Sequence, residues 1–383
     1  MRRTTLRWAG LALALCVSVG QVEAQPDADG DYVKRRYEFG APAASAAATA
    51  ARVPAWIRIP RADGRITRKE LGLVINTADR YSVEVGEFYV KARGLTSAQV
   101  LRLQLPVRAV LAPEEFKAFA AQVDAFFGTR VQALALAWTY PYAVGCNSIT
   151  GALALGFDPA LCSHSCAPSA RSPYFNNAST QPHAQLRLRP SMLLAARDAA
   201  TAMAMIERGV ASDGSLGLRG GLPAHAYFVA TGDRARDARQ PLFPPPGPLR
   251  RVGVEVHVET VAAIENASRV LIYETGAASV PKLDTIRWVP GALADHLTSF
   301  GGRLEGGSGQ MSSLDWIASG ATASYGSVSE PCAHPQKFPH PQVLLLNYLQ
   351  GASAIEAYWK SVAWPQQGVF VGEPLAAPFS RAR

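Results

Sequence analysis

Apolar positions along the chain alternate between short continuous runs and one-sided stripes. Leu71-Gly72-Leu73-Val74-Ile75-Asn76 is a run bounded by polar residues, the pattern of a strand buried on both faces. A stripe follows, with Val85, Phe88, Tyr89 and Ala92 at helical spacing, Ser82 as its cap and Gly94 as its terminator. Val100 to Leu105 predicts a second strand. Pro113, Glu114 and Glu115 open a helix whose apolar face is Phe116, Phe119, Val123, Phe126 and Phe127, and Val131 to Trp138 predicts a third strand. Strand, helix, strand, helix, strand at this spacing specifies a parallel sheet with helices on its faces.

Residues 139–190 break the pattern with Pro, Asn, Ser and three cysteines, and read as an insertion after the third strand. Met192, Ala196, Ala199, Met203 and Ile206 then predict a helix ending at Gly209. Asp213-Gly214-x-x-Gly217-x-x-Gly220-Gly221 lies between that helix and the strand Ala224 to Ala230. A phosphate loop needs the opposite order, so this is not one. Strands are expected at Val252 to Val258, Val270 to Tyr273 and Ala321 to Val328, with a last strand in Gly368 to Leu375. Capping boxes at Ser312 and Ser353 start two helices, and another helix covers Val343 to Leu349. The fold expected is α/β, a doubly wound and mostly parallel sheet with helices on both faces, in one main domain.

The ends of the chain change the picture. Arg2, Arg3 and Arg7 precede the apolar run Leu11 to Val19 and the small-x-small site Val22-Glu23-Ala24, the layout of an export signal over 1–24. Residues 25–66 read as a leader with an Ala-rich linker, leaving 67–379 as the α/β domain. The signal accounts for +2 of the formal charge of +8, so the rest is mildly basic with scattered arginines. No basic stripe with interleaved aromatics is present, which argues against a nucleic-acid partner. No later segment is apolar enough to anchor the chain after signal cleavage, and the protein is expected to be exported, periplasmic or secreted. An oxidising compartment favours disulfides among Cys146, Cys162, Cys166 and Cys332. Parallel strands end at one sheet edge, so the expected bridges are Cys146–Cys332 and Cys162–Cys166.

Several blocks resemble a widespread, functionally uncharacterised family of exported bacterial proteins. These are Leu73-Val74-Ile75-Asn76 with the helix after it, Pro290 to Gly302, Gly320 to Pro331, and Ile355 to Ser361 through Gly372-Glu373-Pro374-Leu375. The order of parts also resembles gingipain-type cysteine peptidases, which have a caspase-like parallel sheet. Those enzymes place His-Gly after one strand and a Cys after the next. Here Val270-Leu271-Ile272-Tyr273 ends in Glu274-Thr275-Gly276, and Leu297-Thr298-Ser299-Phe300-Gly301-Gly302 stands in the cysteine's place. The resemblance therefore implies a caspase-like protein without the Cys/His dyad.

Two functions follow as expectations. The first is a non-peptidase that binds a small ligand or polypeptide in the crevice beyond the strand carboxyl ends, where α/β sheets hold ligands. Its contact residues would be Glu274, Thr275, Ser329, Glu330 and Glu373, with Asn76 to Asp79 and Tyr140 to Asn147 ending strands at the same edge. The second is a hydrolase, peptidase- or esterase-like, with Ser299 as nucleophile, His296 as base and Asp295 as orienter. No cofactor motif occurs. Glu330, Cys332, His334 and His340 are metal-capable, but the prolines around them hold the segment extended, and no metal centre is expected there.

Overall fold

A computed structural model describes residues 55–381 except Ser308. The signal and most of the leader lie outside the described residues. Their end does not: Ile57 donates from its backbone to Gln342 Oε1 at 2.8 Å, and Ile66 is fully buried with its N–H on Glu356 Oε2 at 3.0 Å. The folded unit thus begins before residue 67.

The strands are β1 (Leu71–Asn76), β2 (Val100–Leu103), β3 (Val110–Leu111), β4 (Ala133–Leu136), β5 (Ala143–Val144), β6 (Asn147–Ser148) and β7 (Ser191–Leu193). They continue with β8 (Ala224–Ala230), β9 (Gly247–Leu249), β10 (Val254–Thr260), β11 (Val270–Thr275), β12 (Trp288–His296), β13 (Ala323–Ser327) and β14 (Gly368–Gly372). Eleven of them form one sheet in the order β2-β1-β4-β7-β14-β13-β12-β11-β8-β10-β9, mostly parallel, and β3-β5-β6 form a small second sheet. Helices are α1 (Arg80–Arg93), α2 (Pro113–Phe127), α3 (Ile149–Leu155), α4 (Ala160–Ser163), α5 (Pro182–Leu186), α6 (Ala199–Ser212), α7 (Ser313–Ser319), α8 (Pro341–Leu349) and α9 (Ala354–Ser361).

Alternation along β1 shows both faces covered. A Cβ on Gly86 of α1 would meet Ile75, whereas a Cβ on Gly72 would meet Phe127 of α2. Ile75 and Gly72 point to opposite faces, so α1 and α2 sandwich the strand. The α/β sheet expected from the apolar runs is present. β14 and the short edge strand β9, antiparallel to β10, are the exceptions to its direction. The last strand of the chain lies mid-sheet, pairs antiparallel with β13, and stacks Phe370 on Trp359 of α9 with ring centres 4.4 Å apart.

Three local expectations differ from the structure. Asp79, not Ser82, caps α1, accepting from the Tyr81 amide at 3.0 Å, while the Ser82 hydroxyl accepts from Asn76 N. Met192 belongs to β7 and α6 starts only at Ala199, because an apolar strand followed by a capped helix imitates one longer stripe. α6 also runs past Gly209, its expected end, to Ser212, and residues 288–296 form β12. No helix among the described residues is long and apolar enough to cross a membrane.

Candidate functional site

β1 leads through α1 to β2 on one side, and β2 leads through α2 back past β1 to β4 on the other. Crossovers therefore diverge between β1 and β4, and their carboxyl ends leave a gap with no loop across it. A cleft of about 520 Å³ opens there. Asp79 follows β1, Thr139 and Tyr140 follow β4, Arg197 follows β7, and Glu305 comes from the loop after β12. Val107, Leu304 and Leu314 supply its apolar part.

The walls are held by short polar contacts. Tyr81 donates its hydroxyl to Leu194 O at 2.9 Å and accepts from Ala196 N at 2.8 Å, which clamps the start of α1 to the end of β7. Thr139 donates to Ala196 O at 2.9 Å. Burial pushes the Asp79 carboxyl up, against the lowering effect of the Tyr81 and Ser82 amides. Burial and the Glu305 carboxylate together push the Tyr142 phenol well up. Arg197 is ion-paired with Asp315, whereas Asp79 and Glu305 have no cationic partner among the described residues. Among the described residues the cleft lining contributes no His or Cys.

The residues singled out in the sequence lie mostly elsewhere. Glu274 and Asp295 are opposite each other on β11 and β12 and fully buried on one face. Arg239 reaches between them from a 3-10 helix at Arg236–Leu242, with Nη1 3.1 Å from Glu274 and 2.7 Å from Asp295. That helix is held to the end of β8 by the Asp237 carboxylate, which accepts from the Thr231 and Gly232 amides. Gly276 permits the approach, since a Cβ there would lie 2.3 Å from Asp237 Oδ1. Neither carboxylate is met at a hydrogen-bonding angle; the guanidinium donates instead to Pro339 O and Thr275 O. Burial pushes Glu274 well above the usual carboxylate range, with Arg239 opposing and Asp295 adding to the rise. One guanidinium cannot neutralise two carboxylates in a dry interior, so the pair favours retaining a proton; burial raises both, Glu274 the more strongly.

The Asp295, His296, Ser299 constellation is not assembled. Adjacent residues of a strand project to opposite faces, so Asp295 goes to Arg239 and His296 to α7. The His296 Nε2 proton is donated to Met311 O at 2.9 Å, and Nδ1 accepts from the Trp316 indole at 2.9 Å. Burial, opposed by the Met311 bond, pushes its pKa down to about 4. No ring nitrogen is left to take a proton from Ser299. The neighbouring amides are also committed, Phe300 N to Gln310 and Gly302 N to Ser327 O.

Of the expected contact residues, Glu373 lies at the opposite sheet edge. β14 runs antiparallel to β13, so Glu373 N bonds Thr322 O at the start of that strand, and its carboxylate pairs with Arg93. Glu274 and Thr275 are buried. Ser329 and Glu330 are half-buried at the rim, with Ser329 donating to Cys146 O and Glu330 accepting from Cys332 N. The four cysteines form two bridges, but as Cys146–Cys162 and Cys166–Cys332, correcting the expected pairing. Strand ends do bring the Cys146 and Cys332 loops together. Which sulfurs meet is decided by α4, which sets Cys162 beside Gly145 and Cys146. Cys332, bonded in this way, is no metal ligand. Comparison with known families, curated proteins and solved structures finds no match.

Proposed function

We propose that this is an exported binding protein whose carboxyl-edge cleft takes a ligand carrying a cationic group beside hydrogen-bonding atoms, such as a basic side chain of a polypeptide. The observation that carries the reading is the charge balance of the cleft. Asp79 and Glu305 lack a cationic partner among the described residues, and the one arginine in the lining is already paired. Tyr140 adds an aromatic surface that suits an ammonium or guanidinium. The volume lies in the range of small-molecule sites, about 300–1,000 Å³. Calorimetric titration with short lysine- or arginine-containing peptides, beside acidic and neutral controls, tests it. Basic peptides should bind, and Glu305→Gln should weaken them about tenfold, or about 1.4 kcal/mol. Equal binding of acidic peptides, or affinity unchanged in Glu305→Gln, would sink the proposal.

A further inference from the structure

The far side of the sheet carries a second cluster unrelated to the cleft. β8 and β10 are parallel neighbours, with Glu255 opposite His225 and His257 opposite Tyr227. Alternation places His225, Tyr227, Glu255 and His257 on one face. His225 Nδ1 lies 3.0 Å from His257 Nε2 and 3.8 Å from Glu255 Oε2. One donor atom from each of the three lies within 4.8 Å of the others.

This spacing is what a shared ion requires. Two imidazole nitrogens each about 2.0–2.1 Å from one metal are roughly 2.8–3.4 Å apart at octahedral or tetrahedral angles. The side chains are half-exposed, 22% for His225 and 43% for Glu255, so an ion can enter from solvent. Tyr227 stacks on His257 with centres 4.5 Å apart and planes 13° apart, which fixes that ring. Imidazole with one carboxylate suits zinc-class ions over calcium or magnesium.

We infer that His225, Glu255 and His257 bind a zinc-class divalent ion on the face of β8 and β10, leaving coordination positions open to water or an incoming donor. The oxidised, tag-free protein is suited to the test, because its four described cysteines are in disulfides and offer no thiolate. Competition between the protein and a chromophoric chelator for Zn2+ should show one equivalent bound, at least tenfold weaker in His257→Ala, His225→Ala and Glu255→Gln. In the wild type, Zn2+ should move the ring-nitrogen resonances of His225 and His257 and leave those of buried His296 in place. Zn2+ affinity no greater than that of the doubly substituted His225→Ala/His257→Ala protein, or ring resonances that do not respond, would overturn the assignment.

Discussion

Arg93 and Arg239 are both buried against a glutamate and an aspartate, yet the two clusters differ in how completely they are satisfied. Arg93 meets Glu373 with two parallel bonds, Nε at 3.0 Å and Nη2 at 2.6 Å, and gives Nη1 to Asp213 at 2.6 Å. Tyr89 adds a hydroxyl donor to Glu373 at 2.7 Å, and Asp213 is partly open to water. Arg239 faces two fully buried carboxylates and bonds carbonyls instead. The first cluster is a closed fork-to-fork pair that ties α1 to the end of β14. The second has one positive charge for two acids. The lesson is that charge count and bond angle, more than burial, separate a settled ion pair from one that must retain a proton.

The largest expected effect comes from removing the shared cation. Arg239→Met leaves Glu274 and Asp295 facing each other without compensation, and chemical denaturation should show a loss of about 3–5 kcal/mol. A loss below about 1 kcal/mol would mean that Arg239 is not what holds the two acids together.

Next come the glutamates, where the clusters should diverge in sign. Glu373→Gln breaks a bidentate pair and should cost about 3 kcal/mol. Glu274→Gln replaces a carboxyl already kept neutral, and should stabilise the protein at pH 7 by about 1–3 kcal/mol. Equal losses in the two variants would erase the distinction drawn here. Its pH dependence sharpens the point. Because the folded pKa of Glu274 is raised above the ordinary 4.5, folding retains a proton that the unfolded chain releases above that pH. Its contribution is fully present below 4.5 and is lost as pH rises towards the folded pKa. The advantage of Glu274→Gln should therefore grow with pH by about 1.4 kcal/mol per unit until the folded carboxyl ionises.

The effect that is smallest at neutral pH concerns the next residue on β12. His296, with a folded pKa of about 4 against an ordinary 6.5, refuses a proton that the unfolded chain accepts. Its contribution is complete above pH 6.5 and is lost as pH falls towards 4, at about 1.4 kcal/mol per unit. His296→Gln should flatten that part of the stability profile. An unchanged slope would place the acid sensitivity elsewhere.

Much of the fold was legible because its signals are local. β1, β8 and α2 are one-segment patterns of apolar spacing, and the capping boxes at Ser312 and Ser353 are set by residues three apart. The cleft was legible in outline, since Asp79 and Tyr140 end strands at the predicted edge. Tyr81, Thr139 and Arg197 were not, because nothing in their neighbours announces a shared wall. Arg239 sits in Arg-Asp-Ala-Arg-Gln, a sequence that reads as solvated, and is 2% exposed.

The sequence by itself determined the α/β class, the edge where the cleft opens and the use of four cysteines in two bridges. Tertiary structure alone decided which carboxylates share Arg239, which sulfurs pair, which way Glu373 faces, and that His225 meets Glu255 and His257. The physical reason is the range of the interactions. Spacing and capping act within a few residues of one segment, whereas these contacts depend on strand register and crossover direction. A strand slipped by one residue, or reversed as β14 is, sends the same side chain to another face or another edge.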